Sequence, residues 1–146
     1  MTAIANLSLN EARPEDRVHL LIWDSPQSSE LQDLAFRHNA ERVDYRHHLL
    51  QRHPPNQRFL VLHHHLDREL AALKTLCQQA SKPIILLEGF DCFITYLLSR
   101  PKSPISQLWT HLDQTRKLES RLWILLPPAL VPPTWDDQRQ RRVTVS

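Results

Sequence analysis

The stretch Val18-His-Leu-Leu-Ile-Trp-Asp-Ser-Pro-Gln-Ser-Ser-Glu-Leu31 decides how this chain folds. Val18 to Trp23 is the short, nearly continuous apolar run of a strand covered on both faces, and Asp24 to Gln27 is rich in turn formers. Ser28 or Ser29 is placed to cap a helix in which Glu30 favours the positive N-terminal end while Leu31, Leu34 and Ala35 face inward. Strand, short loop and helix in that order put the loop where an α/β domain binds phosphate. A phosphate cradle needs residues without Cβ, so that successive backbone N–H groups can curl around the anion. The 146-residue chain has a single glycine, Gly89, far from this loop in sequence.

N-terminal to this stretch, residues 1–16 are a polar lead, and residues 17–146 are expected to form one domain. C-terminal to it, the helix should fade near Asn39. Arg42-Val-Asp-Tyr45 reads as a brief second strand, followed by a short helix through His47, Leu49 and Leu50 that His53-Pro-Pro ends. From Gln57 onward, Leu62, Leu66, Leu70, Leu73 and Cys77 recur at spacings of three and four, which predicts one long amphipathic helix. Pro83-Ile-Ile-Leu-Leu-Glu88 is the clearest strand, with proline at its first position, and is expected at the sheet centre.

Phe90, Phe93, Ile94, Leu97 and Leu98 then outline a helix that Arg100-Pro-Lys-Ser-Pro104 stops, and Ile105, Leu108, Trp109 and Leu112 outline another. Arg121 to Leu126 is a second strong strand ended by Pro127 and Pro128. The end of Arg139-Gln-Arg-Arg-Val-Thr-Val-Ser146 alternates as a short last strand does. Strands alternating with helices require crossover connections, so the fold class is α/β: one three-layer domain around a mainly parallel five-stranded sheet.

Composition narrows the function classes. A formal charge of +2 is too small to single out nucleic acid or membrane as a partner. Cys77 and Cys92 sit in apolar stretches without metal or redox spacing and are expected as reduced core thiols, which fits a cytoplasmic protein. The first residues lack the basic start and apolar core of a signal peptide, and no stretch is long enough to span a bilayer. No G-x-S-x-G elbow or Cys/His signature points to a covalent nucleophile.

The layout of strands and the acid ending the third strand resemble a small P-loop NTPase domain of RecA/AAA type. Laid on the Walker A pattern G-x-x-x-x-G-K-[ST], Asp24 and Ser29 fall at the two glycines, Glu30 at the lysine and Leu31 at the magnesium-binding hydroxyl. An acid in place of that lysine repels phosphate rather than attracting it. Ile84-Ile-Leu-Leu-Glu88 is similar to a Walker B segment, with Glu88 in place of the metal-binding aspartate and Gly89 where the family has its catalytic carboxylate. Leu126 runs into Pro127 without the polar sensor common at that strand end.

Size and segment order resemble the small P-loop subunit of type 3 bacteriophage-exclusion (BREX) defence systems. The similar stretches are the Leu-rich helix before Pro83, the Leu-Leu-Glu-Gly-Phe-Asp91 turn and the approach from Arg116 to Pro127. The resemblance, with its motif losses, implies a non-catalytic, cofactor-free subunit in a nucleic-acid-directed complex, docked on a larger ATPase or nuclease.

Three residue groups carry competing readings. The carboxylates Asp24, Asp44, Glu88 and Asp91 end strands or follow them closely, an arrangement that can hold Mg²⁺ for nuclease chemistry or merely cap helices. Asp24, Glu88 and Asp91 are its core. His47, His48, His53 and His63 to His65 are crowded in sequence, yet neighbouring residues on a helix point apart, so no metal site is expected there. Trp135 with Arg139, Arg141 and Arg142 is a candidate surface for a protein partner or, directly, DNA, the plainer reading being a charged strand edge. The vestigial loop from Asp24 to Glu30 is a second docking candidate.

Overall fold

The computed structural model describes residues 2–3, 18–52, 66–99, 104–115, 118, 120–133, 135 and 140–144. Among the described residues, six strands and five α-helices follow in the order β1 (Thr2–Ala3), β2 (Val18–Ile22), α1 (Ser28–Arg37), β3 (Ala40–Asp44), α2 (Tyr45–Arg52), α3 (Leu66–Gln79), β4 (Ile84–Glu88), α4 (Phe90–Leu98), α5 (Ile105–Gln114), β5 (Arg121–Leu126) and β6 (Gln140–Thr144). A 3₁₀ turn, Pro128–Leu130, follows β5.

The sheet order is β1, β6, β2, β5, β4, β3, and every pairing is parallel. Five of these strands form the main sheet, and the two-residue β1 extends it beside β6 from within the polar lead. The order of the five is consistent with the RecA/AAA-type arrangement. β5, not β4, is their midpoint: β4 lies one strand in from the edge strand β3. Both strands are apolar because both are paired on two sides and covered on two faces.

Register sorts the side chains into two layers. Val18, Leu20 and Ile22 of β2 join Ile85, Leu87, Leu122, Ile124 and Leu126 in one core, roofed by Tyr45, α3, α4 and α5. The opposite face carries Leu21, Trp23, Ala40, Ile84, Leu86, Trp123 and Val143, and α1 covers it with Leu31, Leu34 and Ala35. Each Leu or Ile taken fully out of water contributes about 1.5–3 kcal/mol, so both layers are needed to hold the sheet.

The helix signals are mostly where the sequence puts them. α1 starts one residue after its N-cap, Gln27, rather than being capped by Ser28 or Ser29. It stops at His38 because Asn39 takes a left-handed φ of 53°, which Asn tolerates. The second strand begins at Ala40, and Tyr45 already opens α2. The described part of the long helix starts at Leu66, so the expectation for Gln57 to His65 lies outside the described residues. Cys77 is buried as expected, whereas Cys92 is exposed on the outer side of α4. No helix among the described residues is long and apolar enough to cross a membrane.

Candidate functional site

In a parallel sheet the C-terminal strand ends face ligand, because crossover helices start there and aim their N–H groups at the same edge. Here that edge carries the β2–α1 loop, the β4–α4 turn, the β3–α2 corner and the end of β5. A shallow pocket of about 230 Å³ sits between the ends of β2 and β5, lined by Trp23, Asp24, Ser25, Pro26, Asp91 and the Leu125 to Pro127 segment. The structure thus brings two of the anticipated carboxylates, Asp24 and Asp91, to one hollow. Among the described residues, no Lys, Arg or His lines it.

The loop itself is built against phosphate. Pro26 has no N–H to offer, and Ser25 reaches the left-handed region (φ 49°) where a phosphate loop would use glycine. Glu30 accepts the backbone N–H of Gln27 at 3.2 Å and so occupies the N-terminal end of α1 with its own carboxylate. Leu31, the next residue of α1, is buried against the sheet. The carboxylates of Asp24 and Asp91 line the hollow, and that of Glu30 stands at the start of α1.

The end of β4 is committed in a different way. Arg42 of β3 grips Glu88 with both arms of its guanidinium, Nε to Oε2 at 2.6 Å and Nη2 to Oε1 at 2.8 Å, in a half-buried fork-to-fork pair. Its Nη1 donates to the Ser28 carbonyl and to Gln32 Oε1, each at 3.2 Å, and Ser28 Oγ lies 3.3 Å from both Nη atoms. Arg42 therefore ties β3, β4 and the first turn of α1 together. The bond to Glu88 raises the guanidinium pKa further above its ordinary value against the opposing pull of burial, so the group is charged at any working pH.

Asp44 is used locally. Its Oδ1 accepts the N–H of Arg46 at 3.0 Å and starts α2. Gly89 adopts φ +80°, and a Cβ there would stand 2.8 Å from Asp44 Oδ1 and 3.3 Å from Arg46 Nε. The lone glycine serves this corner: it lets β3–α2 close over the start of α4. Among the described residues no group of three His, Cys, Asp or Glu side chains is placed to hold a metal ion. His47 is exposed and contacts Gln51, while His53 and His63 to His65 lie outside the described residues. At this edge the carboxylate of Glu30 occupies the start of α1, and both oxygens of Glu88 are taken by Arg42.

The C-terminal candidates separate. Trp135 is packed in the larger core with its ring against Trp109, centroids 5.6 Å apart. Arg141 and Arg142 are successive strand residues and point to opposite faces: Arg141 is in register with Leu21, and Arg142 with Ile22. Arg142 is exposed, and Arg141 is half-buried with Nη1 on the Gln140 carbonyl at 2.9 Å. Arg139 lies outside the described residues.

Arg42 was not among the residues singled out from the sequence. The signal lay in the β3 alternation, which puts Arg42 and Asp44 on one face, but its partner is 46 residues away and only the β3–β4 pairing reveals it. No protein-family model, no curated protein and no solved structure matches this chain.

Proposed function

We propose that this chain is a catalytically inactive, P-loop-like subunit that works by binding a partner protein within a multi-subunit complex directed at nucleic acid, of the kind that phage-exclusion systems use. The observation that carries this reading is the self-satisfied edge: the carboxylate of Glu30 caps the helix that would otherwise receive phosphate. A protein that keeps this architecture while filling its own ligand positions retains surface and shape as its useful properties. The partner would be a larger ATPase or nuclease subunit. Two surfaces suit docking: the exposed loop from Asp24 to Ser29, which continues along α1 to Phe36 at 84% exposure, and the part of β6 that exposes Arg142. Direct DNA binding is disfavoured, since Arg141 and Arg142 diverge and few phosphates could be neutralised together.

A second reading, a magnesium-dependent nuclease, draws on Asp24 and Asp91 sharing one pocket. It loses Glu88 to Arg42. A thermal-shift titration separates the two, because any ligand preferring the folded chain raises its apparent stability. The docking reading expects no shift with ATP and Mg²⁺ or with Mg²⁺ or Mn²⁺ alone. A nucleotide-dependent shift overturns it in favour of an NTPase, and a metal-dependent shift abolished by Asp24→Asn favours the nuclease. Tagged chain recovered from its own cells should then bring down a large ATPase or nuclease. Asp24→Arg or Arg142→Glu should weaken that recovery, and indifference to both would count against the named surfaces.

A further inference from the structure

We propose that Arg42 is the resident counter-ion of the β4-end carboxylate Glu88, a fixed guanidinium supplying the positive charge that a divalent cation would otherwise bring to this edge. Asp44 and Glu88 are register partners on adjacent strands and share a face; Asp44 has Arg46 beside it, Nε to Oδ1 at 3.8 Å, which leaves Glu88 to Arg42. Arg42, two residues before Asp44, shares that face and engages both oxygens of Glu88 at 2.6 and 2.8 Å. A hard divalent cation needs several oxygen ligands around it. Both oxygens of Glu88 already accept from a group that is also fastened to Ser28 and Gln32 of α1. A cation would have to displace a guanidinium held by three elements. The inference rests on reading this edge as chemically silent. Its test concerns the purified chain alone, so its failure is distinguishable from a failure of partner capture.

The experiment is Mn²⁺ binding, read by electron paramagnetic resonance of the free ion, on the full chain and on Arg42→Gln, Arg42→Lys and the double variant Arg42→Gln/Glu88→Gln, with Glu88→Gln added for the melting comparison. Arg42→Gln should gain one weak ion, in the range of about 10⁻⁴–10⁻³ M seen for loosely built oxygen sites. The parent, Arg42→Lys and the double variant should not. The proposal is overturned if folded Arg42→Gln gains nothing, if the gain survives in the double variant, or if the parent already binds as strongly. A second readout covers a variant too unstable to titrate. The double variant should melt above either single glutamine variant, because it removes both charges together instead of leaving one uncompensated. A double variant melting at the sum of the single losses also overturns the proposal.

Discussion

The β2–α1 loop and the end of β4 stand on the same sheet edge and are satisfied by opposite means. At the loop, a carboxylate reaches back three residues along its own helix to the Gln27 N–H. At β4, a carboxylate is met by a cation from a neighbouring strand, 46 residues away in sequence. The first is a local, solvent-exposed bond worth about 0.5–1 kcal/mol, and the second a half-buried bidentate pair whose loss leaves a charge without its partner. The difference teaches that the loop is replaceable surface whereas the Arg42–Glu88 pair is part of the frame.

Substitutions can break or sharpen that contrast. The largest effect should come from Gly89→Val, which forces a β-branched residue to φ +80° with its Cβ 2.8 Å from Asp44 Oδ1. A loss of about 3 kcal/mol or more is expected in a urea melt. Retention of parental stability would show that the β3–α2 corner is not closely packed on α4.

Arg42→Met should cost less, about 2 kcal/mol, since the pair keeps some access to water while Glu88 is left beside Asp44. If it costs no more than a surface substitution, the frame role fails. Glu30→Ala should lose about 1 kcal/mol through the Gln27 cap and the helix dipole, and that loss should shrink at high salt. Parity with Arg42→Met would erase the distinction between the two regions. Ser25→Gly should change stability by no more than about 0.5 kcal/mol. Relief of the left-handed φ of 49° is offset by the greater freedom glycine gives the unfolded chain.

The two regions also differ in how they appear in the sequence. Glu30 three residues after Gln27, just before Leu31, Leu34 and Ala35, is a helix-start pattern that needs no tertiary knowledge, although Ser28 and Ser29 drew attention from the true cap. The same holds for the apolar runs of β2, β4 and β5, whose composition requires burial on two faces. Arg42 shows the other case. Its strand is short and polar, and its role exists only because β3 pairs with β4 in one register and packs under the first turn of α1. Trp135 is similar: beside arginines it reads as a surface residue, yet chain return buries it on Trp109.

By itself the sequence determined the alternation of strands and helices, the α/β class and the lack of a glycine-built phosphate loop. Each follows from local periodicity, propensity or the simple absence of residues without Cβ. Only the tertiary structure decided that β5 is the midpoint of the sheet and that Arg141 and Arg142 face apart. It also decided that Asp24 and Asp91 share a pocket while Glu88 is claimed by Arg42. Those outcomes depend on which strands become neighbours and in which register, and a shift of one residue would turn every side chain to the opposite face.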